Sequence, residues 1–239
     1  MKSENHIKLF FNKFSRKYDG YAFNYSLGLK FLDLLEKGFI VENLEKNEMK
    51  NKKVLDVGIG TGRVSSIFAK NGCRIYGLDI SEDMSRKAER KLRKSLVSIT
   101  IKDAQSGLPF SSNFFDLCVS FRVLKYMKNW KFVISEMRRV LKPNGLIFIE
   151  FSNKKSLSIF GTRNANYSLL DKNSVINFLK NSDFNILKIQ GGSKLTFNLY
   201  RRIKTKKMLK FIKILENYLK KIFGNNYSRN IMIMASVKK

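Results

Sequence analysis

Between residues 6 and 48 apolar side chains return every three or four positions: Phe10, Phe14 and Tyr18, then Leu29, Leu32, Leu35 and Phe39. That spacing is the period of a helix, and Asp19-Gly20 interrupts it, so two helices with a break near residue 20 are predicted. From Lys53 the rhythm changes. Short apolar runs at 54–57, 74–78, 97–101, 115–119 and 146–149 read as strands, and the amphipathic stretches around 63–71, 82–94 and 129–141 read as helices. Beyond Phe151 follow a helix at about 171–181, a strand near 184–190 and a last strand at 231–237. Strand and helix alternating this regularly predict an α/β fold, a parallel sheet with helices on both faces. The pattern leaves a helical arm over 1–50, a core over 51–151 and a C-terminal half over 152–239, all within one domain. An insertion over 193–228 separates the last two strands.

Composition adds limits. A chain of 239 residues with 44% hydrophobic and 28% charged positions is globular in character, which excludes a disordered, collagen-like or coiled-coil chain. Cys73 and Cys118 stand inside apolar segments without metal-ligand spacing, so they are expected to be core residues in a reducing compartment, with no metal site. The first residues lack the apolar stretch of a signal peptide and no run reaches a membrane span, so a cytoplasmic protein is expected. The net charge of +28 favours polyanionic partners such as nucleic acid, an anionic membrane or an acidic substrate. The basic residues are spread along the whole chain, however, as a codon bias would also leave them.

Candidate chemistry concentrates in three places. In Val54-Leu55-Asp56-Val57-Gly58-Ile59-Gly60-Thr61-Gly62 a buried strand runs into a glycine-rich turn and then a helix. Gly58, Gly60 and Gly62 would let the backbone approach a ligand closely. Arg63 stands where a dinucleotide-binding turn needs a further glycine, and no Gly-Lys-Ser/Thr follows for a phosphate loop. In Gly77-Leu78-Asp79-Ile80-Ser81, Asp79 ends the second strand, where a carboxylate accepts bonds from ribose hydroxyls. It could equally cap the next helix. In Lys102-Asp103-Ala104-Gln105, Asp103 ends the third strand and could accept a bond from an adenine amino group or merely cap a polar turn.

Taken together, and with Leu108-Pro109-Phe110, Phe115-Asp116-Leu117 and Arg139-Val140-Leu141-Lys142-Pro143-Asn144-Gly145, these motifs resemble the class I S-adenosylmethionine-dependent methyltransferases, in the subgroup of ubiquinone-biosynthesis and related small-molecule enzymes. The resemblance covers roughly residues 10–151. It implies a Rossmann-like, doubly wound, mostly parallel seven-stranded sheet whose last strand is antiparallel, and S-adenosylmethionine as cofactor. It also implies roles: Asp56 orienting the cofactor's amino group, Gly58, Gly60 and Ser120 lining its methionine end, and Asp79 binding the ribose. Ile80 and Met84 would lie against the adenine, with Asp103 and Ala104 at its edge and Tyr18 closing over it. Lys142-Pro143-Asn144-Gly145 would be the turn before the fifth strand.

Many relatives carry a histidine after the fourth strand, where this chain has Tyr126. The only histidine, His6, lies in the arm and is expected at the surface. Glu150 and Tyr126 are therefore the acid–base candidates, and positioning without a dedicated base is the other option. Arg122 and Lys125 could hold an anionic acceptor or stand in solvent. Within the insertion, Met208, Phe211, Ile212, Leu215, Tyr218, Leu219, Ile222 and Phe223 recur at helical spacing among Lys206, Lys207, Lys210, Lys213, Lys220 and Lys221. Such a helix can pack on the core, cap an acceptor pocket or rest on an anionic bilayer. The expected function is methyl transfer to a small lipophilic or anionic acceptor, with peripheral membrane contact through 203–223. Two alternatives stay open: an RNA methyltransferase using the positive charge, though without an Asn/Asp-Pro-Pro-Tyr/Phe motif, and a non-catalytic membrane-attached module.

Overall fold

A computed structural model describes residues 2–44, 49–158 and 168–238. The arm forms α1 (Lys2–Phe14) and α2 (Leu27–Glu42), joined through a short π-helical turn at Gly20–Asn24. This is the two-helix pattern with its break, except that positions 45–48 of the predicted second helix lie outside the described residues. Ser26 starts α2: its hydroxyl accepts from the Leu29 N–H at 3.1 Å and donates to the Tyr200 carbonyl at 2.8 Å. His6 is exposed on α1, as expected.

The core strands are β1 (Lys53–Val57), β2 (Arg74–Asp79), β3 (Leu96–Ile101), β4 (Phe115–Ser120) and β5 (Leu141–Ser152), separated by α3 (Ser65–Lys70), α4 (Glu82–Leu92) and α5 (Trp130–Val140). Then come α6 (Lys172–Asn181), β6 (Phe184–Gly191), α7 (Phe197–Arg202), α8 (Lys206–Phe223) and β7 (Asn230–Val237). All seven strands join one sheet in the order β3-β2-β1-β4-β5-β7-β6. The first five pair in parallel, and β7 runs antiparallel to both β5 and β6. The sheet expected from the sequence is the one observed.

Alternation along the strands explains the two-sided core. Leu55, Val57, Ile147, Ile149, Ile231 and Ile233 face Val133 and Met137 of α5 and Val175 and Leu179 of α6. Val54, Phe148, Met232 and Met234 face Phe39 of α2, Phe68 of α3 and Ala88 of α4. Cys73 and Cys118 are buried free thiols, each on one of these faces.

Two details depart from the sequence pattern. The turn expected before β5 is taken into the strand: Leu141 already pairs with Phe115, the register shifts, and pairing resumes at Leu146 opposite Leu117. Asn144 takes the left-handed conformation (φ 60°) within that shift, and Lys142 reaches Asp116 at 2.8 Å. The insertion forms two helices. Tyr200 of α7 and Ile212 of α8 pack on Leu29 and Leu32 of α2, so the insertion and the arm share a third core of their own.

Candidate active site

The glycine turn hangs from the end of β2. The N–H groups of Gly58 and Ile59 both donate to the Leu78 carbonyl, at 2.7 and 3.0 Å, and the Gly60 N–H donates to Asp79 Oδ2 at 2.7 Å. Gly58, Gly60 and Gly62 all have positive φ, a conformation that costs other residues strain. Their surroundings differ. A Cβ on Gly58 would meet the Val123 side chain at 2.4 Å, and one on Gly62 would press on Ala88 and Leu92 of α4 at 3.2–3.3 Å. A Cβ on Gly60 would come no nearer than 3.9 Å to anything, because that position faces open space.

The open space is a cavity along the carboxyl ends of β1, β2 and β3. Asp56, Gly58, Gly60, Asp79, Ile80 and Met84 line it from those strands and α4. Asp103 and Ala104 line the far end, and Tyr18 and Phe11 cover it from the arm. The structure thus brings Tyr18, Asp56, Gly58, Gly60, Asp79, Ile80, Met84, Asp103, Ala104 and Tyr126 to one cavity. It does not bring Gly62 or Ser120. Gly62 serves close packing on α4, and the fully buried Ser120 hydroxyl donates to the Val57 carbonyl at 3.0 Å, fastening β4 to β1.

Electrostatics separate the three acids. Asp56 is 2% exposed, and burial raises its carboxyl to about 7 even though Ser65 donates to Oδ2 at 2.6 Å. Asp79 is raised by burial too, against the N–H bonds from Gly60 and Ser81. Its two oxygens keep further lone pairs, so it can still accept from a ligand. Asp103 caps the turn after β3, accepting the Gln105 N–H at 2.8 Å, while lining the cavity.

A second cavity lies beside the first, under α1, α7 and the end of β5, with roughly 1270 Å³ of empty space including its mouth. Phe11, Tyr18, Arg122 and Tyr126 line both cavities. Glu150 lines only the second. Its Oε2 accepts the Arg122 N–H at 2.7 Å, holding Arg122 in a left-handed conformation (φ 64°), and burial with the nearby Glu36 charge raises its carboxyl. Burial pushes the Lys125 ammonium down to about 8.

Between the cavities runs an ion network invisible to motif reading. Arg63 binds Asp33 at 2.7 Å and Glu36 at 2.9 Å, and Arg122 binds the same Glu36 at 2.9–3.0 Å. Burial alone would raise Glu36, but the two guanidiniums outweigh it and hold the carboxyl well below its ordinary range. The arm is tied to the glycine turn through Thr61, which donates to Asp19 at 2.6 Å. One signal for Glu36 was present: it is an acid inside the apolar stripe Leu29, Leu32, Phe39, Ile40 of α2. Arg229, which also lines the second cavity, carries no such signal.

Comparison with known proteins agrees with this geometry. Residues 55–149 match the model of a methyltransferase domain. Over 134 residues the chain is 29% identical to a ubiquinone biosynthesis O-methyltransferase of Pelagibacter ubique, covering 56% of this chain and 55% of that one. Over 113 residues it is 35% identical to a ubiquinone/menaquinone biosynthesis C-methyltransferase of Paraburkholderia phymatum, covering 45% and 46%. The chain thus matches about half the length of these relatives. Magnesium protoporphyrin IX methyltransferase from Synechocystis superposes with a TM-score of 0.65 at 16% identity, covering 99% of this chain and 100% of that one. The [4+2]-cyclase SpnF has the same fold (TM-score 0.61, 19% identity, 84% and 80% covered), so fold alone does not name a reaction. The glycine turn, Asp79 and the first five strands fall within or around the matched region, so residues 55–149 are similar to a methyltransferase domain.

Proposed function

We propose that the chain transfers a methyl group from S-adenosylmethionine, held in the first cavity, to a small molecule held in the second. The observation that carries this reading is the shared wall: Phe11, Tyr18, Arg122 and Tyr126 border both spaces. The donor side fits its ligand by the open approach at Gly60, the acid at the end of β2 and the apolar seat of Ile80 and Met84. When bound, the cofactor supplies a methyl group on a positively charged sulfur, so little activation remains for the protein to provide. The chain's own work is to align the acceptor, which can contribute several kcal/mol, and to keep water out. Tyr18 and Phe11 close the first cavity from the arm. Asp79 holds hydroxyl groups, and Asp56 faces an amino group. Glu150, its carboxyl raised by burial, takes a proton from the acceptor, and Tyr126 orients it at the boundary. The relatives' names place them in quinone biosynthesis, which favours a small-molecule acceptor over RNA.

Isothermal calorimetry with S-adenosylmethionine tests the donor site. Asp79→Ala should weaken binding roughly 10- to 100-fold, the worth of one or two charge-assisted hydrogen bonds. Equal affinity in parent and variant removes the assignment.

A second partner is proposed on one observation: α8 exposes Met208, Phe211, Ile214, Tyr218 and Ile222 along one face, beside a lysine-rich face carrying Lys206, Lys210, Lys213, Lys220 and Lys221. Its only acid, Glu216, is turned inward, accepting the Lys194 and Leu195 N–H groups and bonding the Tyr200 hydroxyl. No helix among the described residues is long and apolar enough to cross a membrane. Charge and apolarity together fit a helix lying on an anionic bilayer. The chain should sediment with phosphatidylserine-containing vesicles and remain in solution with pure phosphatidylcholine. Phe211→Ser with Lys210→Glu should abolish the sedimentation, and binding unaffected by either change would sink the proposal.

A further inference from the structure

The second cavity carries a charge pattern that its aromatic walls do not require. Phe10, Phe14 and Tyr21 give it flat apolar surface, and Phe14 stacks on Phe10 at 5.6 Å and meets Tyr21 edge-on at 5.2 Å. Arg122, Lys125 and Arg229 converge among these rings with Glu36 and Glu150. The cations outnumber the carboxylates by one.

The excess is not spread evenly. Arg122 is committed to Glu36, and Glu36 is shared with Arg63, which Asp33 balances. Arg229 stands apart. Its Nε has Ser193 Oγ at 3.4 Å, and its guanidinium lies 5.8 Å from the Phe197 ring. Among the described residues no carboxylate comes within the 4.0 Å of an ion pair. Burial disfavours its charge, as does the neighbouring Arg122. Glu36 and Glu150 favour the charge from a distance, but among the described residues no carboxylate touches this part-buried guanidinium, so an anion in the cavity would be its direct counter-charge. Guanidinium and ammonium groups facing one cavity are the usual reading surface for carboxylate or phosphate.

We propose that the acceptor carries an anionic group, a carboxylate or phosphate, on a flat apolar body: Arg229 and Lys125 bind the anion, and the rings of Phe10, Phe14 and Tyr21 hold the body. The anion thereby anchors one end of the acceptor and leaves the other at the wall shared with the first cavity. This deepens the methyl-transfer reading and rests on it for the word acceptor. The binding claim concerns the second cavity alone.

The test uses the purified full chain and three matched probes: naphthalene-2-carboxylate, 2-naphthyl phosphate and the neutral naphthalene-2-carboxamide. Calorimetry should show at least one anion binding more than about tenfold tighter than the amide, as a charge-assisted pair implies. Which anion wins identifies the group. Arg229→Gln and Lys125→Met should each bring that anion down to the level of the amide, and Arg229→Lys should keep most of the preference. A parallel titration with S-adenosylmethionine separates the two readings. If the donor fails to bind, the methyl-transfer reading fails. If the donor binds while all three probes bind alike, or if Arg229→Gln weakens the amide as much as the anion, the anion site is refuted.

Discussion

The two cavities are built in opposite ways. The floor of the first comes from one continuous stretch, β1 through the turn after β3, with the arm and the segment after β4 closing over it, and the shape of its turn is set by backbone N–H groups: Gly58 and Ile59 on the Leu78 carbonyl, and Gly60 on the Asp79 carboxylate. The second is assembled from side chains of α1, α2, the segment after β4, β5, α7 and the approach to β7. Backbone shape is fixed by a few local residues. Side-chain constellations need the whole fold first. A scaffold can therefore keep the first cavity unchanged while the second is rebuilt around a new acceptor.

The largest effect expected from breaking this contrast is at Glu36, where the two cavities are joined. Glu36→Gln leaves Arg63 and Arg122 buried with half their counter-charge, and losing one partner of a buried network costs about 3–5 kcal/mol. Chemical denaturation should register that loss. The sign of the pH dependence is also fixed. The folded-state carboxyl is depressed, so its stabilisation is complete above the ordinary pKa of an exposed glutamate and fades as pH falls through the acid range. Parent and variant should therefore converge in stability toward strongly acid pH, and a constant gap would break the account.

Smaller, and confined to the first cavity, is the difference among its glycines. Gly58→Ala combines positive φ with a 2.4 Å approach to Val123 and should cost about 2–3 kcal/mol. Gly60→Ala has room, so its cost in stability should be near 1 kcal/mol, the strain alone. Its methyl group would instead stand in the donor space. Donor affinity should fall more than stability at Gly60 and less than stability at Gly58. The reverse order would move the ligand away from this turn.

The same contrast decides what could be read from the chain. The strands along the chain, the N-terminal helices and the glycine turn follow from periodicity and from a motif of nine consecutive residues, and they are in place; the antiparallel last strand follows only from the family resemblance. Gly62 and Ser120 sit within such motifs yet serve packing and strand fastening, because a motif names positions without saying which way each faces. Arg122 and Lys125 were ambiguous in sequence between solvent and ligand. Both line the second cavity, and only α2 and β5, far away in sequence, explain why. Arg229 was unreadable: nothing next to it in the chain marks it, and its surroundings come from Phe197, Arg122 and Tyr200. The amphipathic character of α8 is legible in its lysine spacing, but the inward turn of Glu216 depends on α7 packing back against α8.

The smallest effect is the sharpest test of the first cavity's electrostatics. Asp56 is raised to about 7, mainly by burial, with Asp79 adding repulsion and Arg63 opposing it. If its carboxylate faces the amino group of the donor, affinity for S-adenosylmethionine should climb roughly tenfold between pH 6 and pH 8, as the ionised fraction goes from about a tenth to about nine-tenths. Asp56→Asn should be flat over that window, at or below the affinity of the parent at pH 6. Stability without donor must move the other way. A folded-state pKa raised above its unfolded value gives stability that is present at low pH and lost as pH rises through 7. The unliganded parent should thus melt lower at pH 8 relative to Asp56→Asn than it does at pH 6. Donor binding that tightens with pH in the very window where the empty site is destabilised is what a carboxylate kept for a cationic ligand would produce. A variant that binds and melts in parallel with the parent at both pH values would make Asp56 a bystander held by Ser65.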